Sequence, residues 1–430
     1  MHNVARSAQR FAVSDFARHG LLVFVATMAI NVFGYAFHFA ISRRVGVEQY
    51  GVLSALNSLL MVSVVLSQIG ATVVVKYAAE FRATDDRARL AALARKVVQI
   101  GAVATVAIAA AGFYAARPLA AYLRVSDVMA VALTTTIIGI SFATPSLRAV
   151  FQGVEDFKSW ALSTILESFV KLFAGVGLVY AGFGVVGAFV GWGVGSAIAV
   201  AYTAVVLVRR YRRVPGATLF IDTRRLAKTM AGVAVATILL TSVSNADVLV
   251  VKHFVDARTA GLYGALALAG RILLFLVGFV PIVVLPKASR LALAGRSSLG
   301  ILLQAFAISA VMSGTGLVAY YFFPKLVVTS LAGPAFAGAA PYVFPYAVAM
   351  VLLAGLNVVI TYKIGIHRFD FIAPLGVCAI GEIVGISLYH ATLWDVILVL
   401  IVGNGLALVA SSFRLDAPAR VRDVAAVVAT

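Results

Sequence analysis

The sequence predicts an all-α, multi-pass membrane protein with about twelve transmembrane helices in two pseudo-symmetric six-helix lobes. Three observations lead there. Apolar residues fill 62% of the 430 positions and charged ones only 12%, a balance for which the bilayer is the expected solvent. Apolar runs of roughly 20 residues, the length that covers the hydrocarbon core, recur along the whole chain. A short motif also comes twice. Val45-Gly46-Val47-Glu48-Gln49-Tyr50-Gly51-Val52-Leu53-Ser54-Ala55-Leu56 returns as Val255 to Leu266, with Val45/Val255, Gly51/Gly261, Ala55/Ala265 and Leu56/Leu266 identical at an offset of 210 residues.

The chain opens with Arg6, Arg10 and Arg18 and then runs apolar from Leu21 to Ile41, broken by Asn31 and His38. This reads as a retained first helix and not a cleaved signal. Crossings are expected near 20–42, 51–75, 96–116, 128–149, 158–182, 185–208, 229–251, 261–285, 298–322, 340–362, 369–390 and 394–413. The motif at Val45–Leu56 is read as a tight polar link between the first two. The Glu80–Lys96 link places Leu90, Leu93 and Val97 at helical spacing among charges, and predicts a short interfacial helix. Gly187, Gly191 and Gly195 recur every four residues in the sixth crossing, so a neighbouring helix is expected to approach closely there. The charged, turn-prone stretch beginning Arg209-Arg210-Tyr211-Arg212-Arg213-Val214-Pro215-Gly216 lies at the midpoint. The expected organisation is therefore an N-terminal lobe over 1–208, a cytoplasmic linker over 209–228 and a C-terminal lobe over 229–430. Because six is even, the two lobes start on the same side and form parallel repeats about an axis along the membrane normal. Phe323–Ala340 is read as a long outer loop and not a folded domain.

A net charge of +18 raises nucleic acid as a partner, but the distribution argues against it. With the N-terminus in the cytoplasm, inner segments and helix ends hold 26 of the 35 Lys and Arg, which is the positive-inside pattern. Both termini are then cytoplasmic, and the basicity sets topology. The single Cys378 excludes an intramolecular disulfide. No metal-ligand cluster, nucleophile triad, phosphate loop or ATPase motif occurs. Neither a metal, a cofactor nor an enzyme activity is expected, and the driving force must come from a gradient, the membrane potential or downstream polymerisation.

The pattern Arg44-Val45-Gly46-Val47-Glu48-Gln49-Tyr50-Gly51, followed by an apolar helix ending Lys76-Tyr77-Ala78-Ala79-Glu80, resembles the polysaccharide transporter family. So does Asp247-Val248-Leu249-Val250-Val251-Lys252-His253-Phe254 followed by Gly261-Leu262-Tyr263. That family includes the O-antigen flippases and belongs to the multidrug/oligosaccharidyl-lipid/polysaccharide exporter superfamily. The resemblance spans about 20 to 413. It implies two six-helix lobes around a cavity with alternating access, and a bacterial cytoplasmic (inner) membrane location. It implies an undecaprenyl-pyrophosphate-linked oligosaccharide as cargo, with membrane lipids and polysaccharide polymerase machinery as further partners.

Moving such a lipid means passing sugars and a pyrophosphate through hydrocarbon. An Arg or Lys at a helix centre costs about 2.5–3.5 kcal/mol on insertion scales, so such residues face the protein interior and are functional candidates. Arg271, near the middle of the eighth crossing, is the sharpest one; its structural alternative is an ion pair with Asp247 or Glu382. Lys171 is central in the fifth crossing, with Glu167 four residues before it in the order that favours a same-face pair. Displaced by 210, Lys171 falls beside Glu382, so the lobes are expected to place opposite charges at equivalent depths. Asp247, Glu382 and Glu167 are candidates for proton or sodium coupling, with charge balancing of Arg271 and Lys171 as the alternative. Asn57 and Asn357 are candidate sugar contacts, among other polar residues (Asn31, Gln68, Asn245, Asn404) that serve equally as interhelical bonds.

Three classes of function stay open: a lipid-linked oligosaccharide flippase, a cation-coupled multidrug antiporter of the same superfamily, and a non-transporting scaffold of an envelope-assembly complex. Mid-membrane basic residues favour the first.

Overall fold

The computed structural model describes residues 2–215, 217, 223–277, 280, 284, 288, 297–366, 368–413 and 415, and among these the chain is helical with no strand. The helices are α1 (His2–Ala83), α2 (Arg87–Tyr122), α3 (Val128–Gly153), α4 (Phe157–Leu178), α5 (Gly184–Tyr211), α6 (Thr223–Phe254), α7 (Ala257–Val277), α8 (Leu299–Phe322), α9 (Pro324–Leu331), α10 (Ala340–Gly365), α11 (Ile372–Leu388) and α12 (Leu393–Ser411). Two apolar stretches, Val25–Ala83 and Phe157–Tyr211, run for 59 and 55 residues, more than twice what one crossing needs. Each breaks at glycine and holds two crossings. With these divided, the spans fall where the apolar runs place them, in an all-α membrane protein of about twelve crossings. The end of the expected eighth crossing beyond Val277 and the middle of the expected linker lie outside the described residues.

The link inside the first motif is not a loop. Helix runs through both sides, and Gly46 alone leaves helical geometry, at φ 79°, ψ 174°. A residue with a Cβ would be strained there, so one glycine kinks the chain between two helical segments. Two glycines make the second break: Gly182, at φ 99°, within the π-helical turn Val179–Phe183, and Gly184, at φ 51°, directly after it.

The expected interfacial helix is likewise corrected. Asp86 caps the first turn by accepting the Arg89 amide, and α2 then continues unbroken for 36 residues, about 54 Å at 1.5 Å per residue. Leu90, Leu93 and Val97 are buried in a core with Phe81, Leu147, Phe151 and Leu207, where they give up lipid contact for packing between helices. Phe323–Ala340 is also more ordered than expected: α9 and the 3₁₀ turn Pro334–Ala339 fill it, each opened by a proline in its first turn.

The chain divides into two compact units. The first comprises Met1–Val45 and Ser63–Leu226; the second comprises Gly46–Val62 and Ala227–Thr430. In the first, Gly187, Gly191 and Gly195 all face α4, as their spacing requires. A Cβ on Gly191 would strike the Gly175 backbone, and one on Gly195 would lie 2.7 Å from the Glu167 carbonyl. Such small-residue seams are how helices associate where lipid removes the hydrophobic drive. In the second unit, Lys363 is buried with its ammonium bonded to Asp370 (3.0 Å) and to the Phe413 carbonyl (2.9 Å), tying the end of α10 to the end of α12.

Candidate functional site

The charged residues singled out from the sequence fall into one set in each unit. In the first unit, Glu167 on α4 does not pair with Lys171. Its Oε2 accepts from Arg148 on α3 at 2.7 Å, and its Oε1 accepts from the Ser196 hydroxyl on α5 at 2.7 Å. Arg148 also donates to the Ser163 hydroxyl and carbonyl, both at 2.9 Å, and Ser163 meets the Thr203 hydroxyl at 2.9 Å. Every oxygen of the Glu167 carboxylate is therefore engaged, as a buried ion pair requires. The i, i+4 spacing to Lys171 is real, but Arg148 on the next helix, anchored by Ser163, gives one short charge-assisted bond to Glu167 and Ser196 gives the other, and together they outcompete it.

Lys171 turns instead onto aromatic faces. Its ammonium lies 3.2 Å from the Trp192 ring centroid and 4.7 Å from that of Phe37. Phe37 and Trp192 meet edge to face at 6.3 Å, and Phe189 stacks beyond Trp192. The cation is held by ring quadrupoles, an attraction of about 2 kcal/mol where water is excluded, and no carboxylate lies within salt-bridge distance of it among the described residues.

In the second unit, Arg271 on α7 donates from Nη2 to the Ser58 hydroxyl (2.9 Å) and to the Asn245 side-chain oxygen (3.1 Å). Both partners are neutral, and no carboxylate pairs with this guanidinium among the described residues. Ser58 comes from the Gly46–Val62 segment, so the helix following the first motif supplies part of the Arg271 environment. Asn57 beside it is buried, with Oδ1 lacking a partner. Asn357 is exposed on α10 between buried neighbours and accepts from Thr361 at 3.4 Å.

Asp247 and Glu382 form the acidic part of the second set. Oδ2 of Asp247 accepts from Tyr263 at 2.6 Å and Tyr346 at 3.2 Å, which joins α6, α7 and α10 at one carboxylate. Its Oδ1 is buried and unpartnered, as are Oε1 of Glu382 and Oδ1 of Asn404. Asp247 and Glu382 are near enough for their charges to interact, and Glu382 lies against Gly403, leaving no room there for a side chain. Unpartnered acceptors of this kind, buried among spans, are what a proton or a small cation would satisfy.

The offset of 210 relates the two sets. Asp247 matches Phe37, and Lys171 matches the residue before Glu382. One unit has a cation on aromatic rings at this position, the other a pair of acids. Arg148, Trp192, Tyr263 and Tyr346 were not singled out as site residues from sequence. Tyr263 stands in the second motif and could have been; Arg148 reads as one more basic helix end.

No protein-family profile matches the chain, and no curated protein does. Solved structures do. An inward-facing multidrug resistance MATE family transporter of the MOP superfamily superposes with a TM-score of 0.76 at 12% identity, covering 92% of this chain and 95% of that one. The lipid II flippase MurJ, in an inward closed conformation, gives 0.68 at 11%, covering 95% and 89%. An outward-facing MATE family transporter gives 0.64 at 14%, covering 96% of each. The chain thus has the fold of MOP-superfamily transporters over nearly its full length.

Proposed function

We propose that this protein is a flippase that moves an undecaprenyl-pyrophosphate-linked oligosaccharide across the bacterial cytoplasmic membrane by alternating access, for surface polysaccharide assembly. The observation on which this rests is Arg271: a guanidinium within a span, hydrogen-bonded to two neutral partners and with no carboxylate in salt-bridge contact among the described residues. A group so costly to insert is kept where its charge is used, and an anionic pyrophosphate is the cargo that uses it. Lys171 supplies a second such cation, and Asn57 and Asn357 are assigned to the sugars. The likeness in fold to a lipid II flippase supports a lipid-linked cargo. Polymerase machinery would take up the product on the far side.

Asp247 and Glu382 are assigned to proton or sodium coupling, and Glu167 is not, because both its oxygens are already bonded. The same two acids favour the second reading, a cation-coupled multidrug antiporter, and the MATE-like fold agrees with it. One experiment separates them. Deletion of the gene should cause lipid-linked oligosaccharide to accumulate on the inner leaflet. Altered drug sensitivity without accumulation would favour the antiporter and defeat the flippase.

A further inference from the structure

We infer that Arg148 is a positioning residue: it holds Glu167 out of an ion pair with Lys171 and so leaves the Lys171 amine without a carboxylate partner and open to an anionic ligand of the pyrophosphate class. The inference rests on the flippase reading and deepens it. A Glu four residues before a Lys on one helix face is the arrangement that self-neutralises, and in an apolar span the incentive to pair is stronger than in water. Here the pair does not form. The fork of Arg148 takes Oε2 of Glu167 at 2.7 Å and anchors itself on Ser163, while Ser196 takes Oε1 at 2.7 Å. Gly195 lets α5 come against the α4 backbone between Glu167 and Lys171: a Cβ there would lie 2.7 Å from the carbonyl of one and 3.0 Å from the nitrogen of the other. This close approach is what brings Ser196 within reach of the acid.

Lys171 is thereby left to Trp192 and Phe37. Ring faces stabilise a cation without neutralising it and leave its N–H donors unspent. Such a cation can be held while the site is empty and given up to a phosphate oxygen when cargo arrives, since a charge-assisted N–H···O bond exceeds a ring contact. With Glu167 on Lys171, an incoming anion would first have to displace a carboxylate.

The test uses the full chain in detergent, with Trp160→Phe and Trp394→Phe in the background so that Trp192 is the one indole left of three. Geranylgeranyl pyrophosphate is the probe, titrated by calorimetry and followed by Trp192 emission. Arg148→Met should weaken binding about tenfold or more, the scale of one charge-assisted bond, and should mute the emission change. Adding Glu167→Gln to it should restore both to within about threefold of the parent, because the neutralising carboxylate is gone. If the parent binds and the double variant stays as weak as Arg148→Met, Arg148 is a structural brace and the inference is overturned while the flippase reading stands. If the parent does not bind the probe at all, the cargo reading and the inference both fall. Should Arg148→Met not fold, Ser196→Ala, which releases the other carboxylate oxygen, takes its place with the same expected order of affinities.

Discussion

Gly51 and Gly261, the matching glycines of the two motif copies, lie against each other: a methyl group on Gly51 would sit 2.7 Å from the Gly261 nitrogen. A Cβ on Gly261 would in turn land on the Val47 carbonyl, and one on Gly264 would come within 2.8 Å of Ser54. The residues that betray the duplication are thus the residues that bring the helix after Gly46 onto α7.

Gly261→Ala should therefore destabilise the protein by about 1–3 kcal/mol, the usual cost of overpacking a closed seam. Gly34→Ala, in a helix with nothing within 4 Å of the added methyl, should be neutral or slightly stabilising because alanine favours helix. Thermal unfolding in detergent measures both, and equal shifts would show that the seam does not matter.

Arg271→Lys should cost most of the transport despite keeping the charge. One Nη2 reaches both Ser58 and Asn245 along directions fixed by the planar guanidinium, whereas a lysine ammonium sits on a shorter, flexible stem and rotates freely. Vesicle uptake of lipid-linked oligosaccharide should fall about tenfold for Lys, the worth of one charge-assisted bond, and vanish for Ala, with membrane abundance near that of the parent. Normal uptake in the alanine variant would remove Arg271 from the mechanism.

What could be read beforehand follows from what lipid demands. Each span must be apolar and satisfy its own backbone, so the crossings can be read from hydropathy, and a strict four-residue glycine spacing predicts a close seam on that face of α5, though not that α4 fills it. Pairing across helices could not. Glu167 is four residues from Lys171 and nineteen from Arg148, and only the packing of α3 on α4 decides that the distant partner wins. The same holds for Tyr346, which reaches Asp247 from 99 residues away. Gly46 was read as part of a link because hydropathy cannot tell a one-residue turn from a short loop.

Asp247→Asn and Glu382→Gln should each abolish the response of transport to an imposed proton or sodium gradient, since each removes a charge whose buried oxygen lacks a protein partner. Tyr263→Phe should shift the response without removing it, because Tyr346 still donates to the same oxygen. Reconstituted vesicles with clamped gradients read all three. Gradient-independent transport by the parent protein would exclude a coupling role for these acids.

Asp156 offers a stability test outside the spans. It caps α4 through the Ser159 amide (3.1 Å) and hydroxyl (2.8 Å) and pairs with Arg210 at the end of α5 at 2.7 Å. Burial pushes its carboxyl up, but the Ser159 bonds and Arg210 outweigh that and hold it below the usual 3.8. A carboxyl lowered on folding contributes stability that is complete above its unfolded value and is lost as pH falls through the lower folded one. Asp156→Asn keeps a capping side chain but no charge, so its deficit against the parent should be constant from neutral pH down to about pH 4 and shrink below it. Asp156→Ala removes the cap as well and should cost about 1 kcal/mol more across the range. Melting temperatures of the three proteins between pH 3 and 7 decide the matter: a parent-minus-Asn gap that widens toward low pH would mean that the carboxylate opposes folding, the reverse of what Ser159 and Arg210 arrange.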